Sequence, residues 1–573
     1  MGTKNNISRY IRISIGVKKI ILLAMCIAFA VSGCSPLQDV NDANSGQDME
    51  QKPPAYVYYI KDTNLMRADV NAGIQSGTNP AVIMGGIGPY AGLKDYYDVM
   101  TAADGSYCVF HFETGRELSD LNEKWVAVRN SDGTAELIYE GDAYAVMCGR
   151  RLLFKDLEPS GSGDRMYGLY SYMPEDGTKL IISDIYDYNP SEDGQAICFR
   201  RLDKEGNAQL YLYRDGKEIL LSEDMMFAGA SEDFSYIYMY KQVEDGEQSY
   251  CELAGADWDG AKEEILTVSD KADSFYTDPG TGGVYYSVYG EDGVSSLYYR
   301  SGGEKKLLSD EVSMVWEFVQ KPYWLDGKAM MVYAAGTGEG KGLFAAIDGT
   351  VSEFRVPGVK DDWIDEYGRY MSGGDDAVYL SISSAPSGQK QDKADDSYEQ
   401  AGSRIYKYAL TGDRLNQSPE CVAEGTELYV VKEEGGHIFY TDFSGSQDLY
   451  CGGTKILENF CPGSLMRMEQ EDGEYFAFRE NAPSAPDLMR ITAAGSSKVF
   501  MERAVQGETF AGGLLYLSDC GDSYPYLGRL SCYDGTGIKV IDEGVSVFFQ
   551  HDTDRFVDAV PLGWDLTSIL PLR

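Results

Sequence analysis

Residues 209–224 read QLYLYRDGKEILLSED, and residues 296–312 say nearly the same thing again as SLYYRSGGEKKLLSDEV. Each is a short aromatic strand, a glycine turn, a second aliphatic strand and an acidic stop. In LYLYR every second side chain can enter a sheet-to-sheet contact while its neighbour faces the other way. Asp-Gly and Gly-Gly supply the positive φ that a tight hairpin turn requires. The stretch is therefore predicted to be a β-hairpin, and its recurrence makes that hairpin a unit of construction.

The same third-strand phrase returns as NLMRAD (64–69), SYCELA (249–254), GLFAAI (342–347), RIYKYA (404–409), DLYCGG (448–453), DLMRIT (487–492) and LGRLSC (527–532). Weaker versions are KWVAVR (124–129) and RMYGLY (165–170). Between units come two further strands around a turn, as in YDYNPSEDGQAICFRR (186–201) and MRMEQEDGEYFAFRE (466–480). Four short strands in roughly 40 residues is the signature of a propeller blade. A lone four-stranded sheet leaves two open edges and a poorly buried face. Packing such sheets face to face in series covers both faces.

The expected fold class is thus all-β, a β-propeller of four-stranded antiparallel blades. About eleven units fit between residues 56 and 550, more than one ring usually holds, so two tandem or fused rings are expected. The border is placed near KPYWLDGK (321–328), giving region one at 55–330 and region two at 331–560. AYVYYI (55–60) is a candidate to close a ring by pairing with VSVFFQ (545–550), in which case the rings are nested and that border moves. A single large ring and stacked β-sandwiches are the competing architectures.

S191-E192-D193-G194-Q195-A196-I197-C198-F199, followed by L210-Y211-L212-Y213, resembles the repeat of TolB-type propellers, S-P-D-G-x-x-I-A-F and then L-Y. One unit matches well and about six loosely, with Glu192 where the family has proline. The resemblance implies a propeller fold and says nothing about a reaction.

The first 33 residues are a different material. Lys4, Arg9, Arg12, Lys18 and Lys19 precede the apolar run Ile20–Val31, too short for a comfortable membrane span and suited to a signal peptide. V31-S32-G33-C34 looks like a bacterial lipobox, in which Cys34 becomes the lipidated first residue of the mature chain. Residues 34–54 then form a polar tether ending in Pro53 and Pro54. The implied address is the outer side of a bacterial cell membrane, held by lipid. In this the chain is similar to exported lipoproteins of gut Firmicutes that carry such repeats.

The formal net charge of −41 over 573 residues argues against nucleic acid as a partner, because no basic footprint is present to meet phosphates. Tyrosine is the compositional outlier, 43 against 21 Phe and 6 Trp, as short aromatic strands demand. Beyond Cys26 and Cys34 there are nine cysteines without a CxxC, several within strand patterns. They read as small buried hydrophobes.

Signals for chemistry are thin. His111, His437 and His551 have no partner at ligand spacing, HExxH and GxSxG are absent, and no cofactor is expected. GTGEGK (336–341) lacks the first glycine of a phosphate loop and reads as a hairpin turn. D257-W258-D259-G260 reads as a plain turn, with calcium as the minor alternative, and the acid-rich DDWIDE (361–366) is a comparable outside candidate. Trp316, Trp324 and Trp363 are candidate ligand-contact aromatics, weighed against a role in the core between blades. The expected function is binding: a membrane-anchored protein that recognises an envelope protein, a peptide or a glycan through its propeller faces. The alternative is a glycan hydrolase or lyase with acids and tyrosines at the propeller axis.

Overall fold

The computed structural model describes residues 55–549, apart from 71–79, 86–98, 115–121, 157–166, 246–247, 265–270, 291–293, 320–329, 337–341, 357–367, 374–376, 384–402, 426–427, 435, 443–446, 463, 469–473, 482–484, 511 and 521–526. Every regular element among the described residues is a β-strand. Two compact units emerge. The larger comprises Pro53–Ile364, Leu410–Gln417 and Gly544–Arg573; the smaller is drawn from Asp365–Ala409 and Ser418–Glu543. The larger unit includes residues on both sides of the border expected at 330/331 and two later segments. The pairing that would move it is present: Tyr58 faces Phe549, Tyr59 faces Phe548 and Ile60 faces Val547, antiparallel.

Within each unit the strands run as antiparallel groups of four in chain order, with the fifth, sixth and seventh groups of the larger unit, from Met226–Ala230 to Thr350–Glu353, joined edge to edge in one eleven-stranded sheet. In the larger unit the second quartet is Val99–Thr101, Tyr107–Thr114, Asn122–Arg129 and Ala135–Glu140. The third is Ala143–Cys148, Arg151–Asp156, Tyr167–Met173 and Gly177–Ile185, and the fourth Asp187–Pro190, Ala196–Leu202, Ala208–Arg214 and Lys217–Ser222. The fifth begins at Met226–Ala230. The sixth (Ala272–Asp278, Gly283–Tyr289, Ser295–Ser301) and the seventh (Met330–Ala335, Gly342–Ile347, Thr350–Glu353) share the long strand Glu304–Val319. The first quartet, Tyr56–Lys61, Asn64–Asp69 and Ala81–Met84, is completed by the Gly544–Phe549 end of the strand Ile538–Phe549. That strand belongs to a seven-stranded sheet. The smaller unit follows the same plan, for example in Leu428–Glu434, His437–Asp442, Asp448–Cys451 and Thr454–Leu457.

The apolar clusters run between successive quartets. Phe110 and Val128 of the second pack with Tyr58 and Leu65 of the first, while Tyr107 and Val109 pack with Leu152 and Phe154 of the third. Cys198 and Leu212 of the fourth meet Ile237 and Met239 of the fifth. Face-to-face sheets in chain order are what a propeller-like, all-β fold requires, and the clusters supply them.

The opening phrase explains its own geometry. Asp215 and Gly216 both have positive φ, 52° and 71°, as do Gly302 and Gly303 in the second copy, so the hairpin turn matches the twist of its strands. Past the turn, Leu210 faces Ser222 but Tyr211 faces Leu220, which leaves Leu221 as an extra residue, a β-bulge. The same slip recurs between third and fourth strands at Ile83, Ile138, Ile181 and Leu308 in the larger unit, and at Val422, Ile456 and Phe500 in the smaller. Each of these named residues is apolar and belongs to, or packs against, a core cluster. Its predecessor turns outward: Leu220 is 41% exposed while Leu221 is fully buried. Burying one leucine contributes about 1.5–3 kcal/mol, and the bulge bends the outermost strand so that its free edge pairs poorly with another sheet.

Candidate functional site

Cys34, Trp324, Trp363, His551 and the DDWIDE segment lie outside the described residues. Trp316 falls within the strand Glu304–Val319, with its side chain outside the described set. His111 Nε2 lies 3.1 Å from Glu123 Oε2, and its ring stacks on Trp125 at 4.1 Å, all on two neighbouring strands. His437 is exposed at the start of its strand. The sequence candidates that can be placed are therefore not brought together.

DWDG is a closed turn: Ala261 N donates to Asp257 Oδ1 at 2.7 Å and to Asp259 Oδ1 at 3.0 Å, and the Arg214 guanidinium lies over the Trp258 ring. No group of three or more His, Cys, Asp or Glu is arranged to hold a metal among the described residues. Ala335 and Gly342, which flank GTGEGK, face each other across an antiparallel ladder, and residues 337–341 of that motif lie outside the described residues. All nine cysteines outside the leader and lipobox are unpaired. Six are buried, and Cys421 departs from the expectation by being exposed.

The arrangement that does come together is built on the turn between the first and second strands of a quartet. In S191-E192-D193-G194, Ser191 Oγ donates to Asp193 Oδ1 at 2.7 Å and accepts the Ala196 amide at 3.0 Å, while Gln195 N donates to Asp193 Oδ1 at 2.9 Å. The fifth quartet repeats this in S231-E232-D233-F234-S235. Ser231 Oγ donates to Asp233 at 2.8 Å and accepts Tyr236 N at 3.1 Å, and Ser235 N donates to Asp233 at 2.9 Å. Here Phe234 takes the positive φ, 54°, that Gly194 has in the first copy. The second quartet keeps a reduced form, A102-A103-D104-G105-S106, with Ser106 N donating to Asp104 at 3.0 Å. These two relatives of SEDG were not read from sequence. A serine or alanine two residues before a fixed aspartate, at the mouth of an aromatic strand, is the signal that finds them.

Beside the SEDF turn lies a cleft of about 620 Å³, lined by Glu232, Asp233, Tyr236, Tyr238, Arg300 and a run of glycines at 280, 282, 302 and 303. Tyr236 and Tyr238 meet edge to face at 5.0 Å, and the Tyr238 hydroxyl donates to the Gly282 carbonyl. Burial raises the Glu232 carboxyl above its ordinary range, and the neighbouring charges of Glu192 and Asp233 push the same way. Hydrogen bonds from Ser235 hold Asp233 below its range. The cleft thus offers an ionised carboxylate, a second acid under negative pressure, and aromatic faces, a combination suited to polar or cationic groups. The smaller unit has a cleft of about 530 Å³, but its bases are already engaged: Lys455 with Asp448 and Glu458, and Arg479 with Asp487.

No protein-family description matches the chain, and no curated protein sequence does. Solved structures similar to it include the β-propeller domain of the Trilobed protease from Pyrococcus furiosus, at 12% identity and a TM-score of 0.28, over 57% of this chain and 94% of that one. A eukaryotic initiation factor is similar at 10% identity and a TM-score of 0.37, over 87% and 98%. Acylaminoacyl peptidase from Pyrococcus horikoshii is similar at 15% identity and a TM-score of 0.26, over 60% and 59%.

Proposed function

We propose that this chain is a lipid-anchored binding protein on the extracytoplasmic side of the cell membrane, with TolB-type propeller sheets in two fused rings and a cleft in the larger unit that receives part of a protein or peptide. The anchor reading rests on V31-S32-G33-C34 behind a short basic leader. Two or three acyl chains would hold the domain firmly, at about 0.8 kcal/mol per buried CH₂. The observation that carries the binding reading is the cleft beside Ser231–Ser235, where acids, tyrosines and glycine-walled space converge on rigid turns.

Two experiments test it. Metabolic labelling with an alkyne-bearing fatty acid should tag the wild-type chain and not Cys34→Ala; equal labelling of both removes the anchor. Peptide and glycan arrays probed with the leaderless chain should show peptide retention that Tyr236→Ala weakens at least fivefold. Retention confined to glycans, with shortening of the bound glycan, would put the hydrolase or lyase alternative first.

A further inference from the structure

Two junctions in the larger unit share one backbone pattern and differ in one side chain. Where the second quartet meets the third, Ala103 N donates to Gly149 O at 2.9 Å; where the fifth meets the sixth, Glu232 N donates to Pro279 O at 3.2 Å. The turns themselves superpose in register, since Ala102 N donates to Tyr107 O just as Ser231 N donates to Tyr236 O, both at 3.0 Å. This register makes Asp104 the counterpart of Asp233 and Gly149 that of Pro279; the turn has two residues in the first copy and four in the second, so Arg150's place falls on Gly280 counted from the turn's start and on Gly282 counted from its end, a glycine either way.

At the first junction the Arg150 guanidinium bridges Asp104 at 2.6 Å and Glu175 at 3.2 Å, so the chain fills the notch with its own cation. At the second junction the equivalent residue has no side chain, and the 620 Å³ cleft opens there. The aspartate is kept, a glutamate is added beside it, and the charges acting on Glu232 are Glu192 and Asp233, both negative. Arg300 lines the same cleft, where its charge acts on the Tyr238 hydroxyl. Tyr236, which is partly exposed, adds an aromatic ring of the kind on which guanidinium and ammonium groups settle, and the buried Tyr238 packs edge to face behind it.

We propose that the cleft takes an arginine or lysine side chain of a partner peptide, seated against Asp233 as Arg150 is seated against Asp104. The proposal rests on the binding reading above and narrows it to cationic segments. Gly280 is exposed and is not among the positive-φ glycines, so an arginine there does not have to adopt a left-handed backbone and would occupy the notch from within.

The test is an array of heptapeptides carrying arginine, lysine or citrulline at the central position, probed with the full leaderless chain. Citrulline keeps the shape of arginine and loses its charge. Arginine and lysine peptides should be retained at least tenfold over citrulline, and Gly280→Arg should remove about tenfold of that. Glu205→Arg, which raises the net charge by two at an exposed turn elsewhere, against one for Gly280→Arg, should change it less than twofold. Should Gly280→Arg fail to fold by its melting curve, the pair Glu232→Gln, Asp233→Asn stands in for it with the same expected loss. Equal retention of arginine and citrulline, or equal effects of Gly280→Arg and Glu205→Arg, overturns the proposal while leaving the binding reading intact. If neither peptides nor glycans are retained, both fall.

Discussion

The larger and smaller units use the same strand phrase and secure its polar ends differently. In the larger unit, tyrosine hydroxyls reach from one quartet to the next: Tyr107 donates to Arg150 O at 2.8 Å, Tyr285 to Ala346 O at 3.3 Å, and Tyr58 to the Asn130 side chain. The ring lies in the apolar layer while the hydroxyl meets the backbone of the neighbouring turn, so one residue serves both the core and its polar rim. In two groups of the smaller unit the residue before the third-strand leucine is a buried aspartate. Asp448 accepts Asn459 N at 3.2 Å and the Lys455 ammonium at 3.3 Å; Asp487 accepts Arg503 N at 3.4 Å and the Arg479 guanidinium at 2.7 Å. Gln209 and Ser296 stand at that place in the two copies that opened the sequence. At these places neutral stitches join sheet to sheet in the larger unit, and charged stitches fasten a sheet to its own exit turn in the smaller.

What the units share should be the costliest to remove. Leu221→Ala in the larger unit and Ile456→Ala in the smaller each delete a bulged side chain that is buried, and each should lose about 2–4 kcal/mol in urea unfolding. Leu220→Ala, one residue earlier and 41% exposed, should stay within about 0.5 kcal/mol. Similar losses at Leu220 and Leu221 would show that the slip in register is not what directs these side chains.

The next contrast separates the units. Asp487 is 4% exposed and holds both Arg479 and the Arg503 amide, so Asp487→Ala should cost about 2–3 kcal/mol and raise amide exchange around residues 479–503. Tyr285→Phe keeps the buried ring and removes only the hydroxyl that donates to Ala346 O and accepts Gly349 N, for about 1 kcal/mol, with exchange rising at 346–349. A Tyr285→Phe loss as large as that of Asp487→Ala would erase the distinction between neutral and charged stitching.

Much of this plan was readable from sequence and some was not, for physical reasons. The Asp215-Gly216 and Gly302-Gly303 hairpins were legible because a positive φ restricts residue choice severely. The AYVYYI–VSVFFQ pairing was legible as two unpartnered strands at opposite ends. The bulges were not, since Leu220-Leu221 or Leu307-Leu308 gives no sign of which leucine turns inward when both are apolar. The SEDF turn hid because Phe234 replaced the expected glycine, a substitution that the surrounding hydrogen bonds from Ser231, Ser235 and Asp233 make tolerable. Nor does any pattern announce that the place of Arg150 falls on a glycine, Gly280 or Gly282, in the second copy. That follows only from two backbone hydrogen bonds between residues more than 40 positions apart.

The smallest effect concerns acid, and it divides the cleft from the turns around it. Hydrogen bonds from Ser235 hold the Asp233 carboxyl below its ordinary value, and Asn207 does the same for Asp203; at Asp104, Ser106 and Arg150 together outweigh a contrary pull from burial. A carboxyl depressed on folding lends its turn support that is complete above the unfolded value, about 3.9, and vanishes as pH falls through the lower folded value. Glu232 runs the other way: its raised value means that the charged form is disfavoured in the fold, and protonation on acidification relieves it. In an NMR titration the Ser235, Ser106 and Asn207 amides should therefore shift only below about pH 4, whereas the Glu232 carboxyl should titrate above about 4.3. Replacing Glu232 with glutamine should accordingly leave stability at neutral pH unchanged or raise it by less than about 0.5 kcal/mol, because the side chain is exposed and water screens most of the strain. A loss of stability in Glu232→Gln would mean that the carboxylate is already paired within the chain, and the cleft would then have no call for a cation from outside.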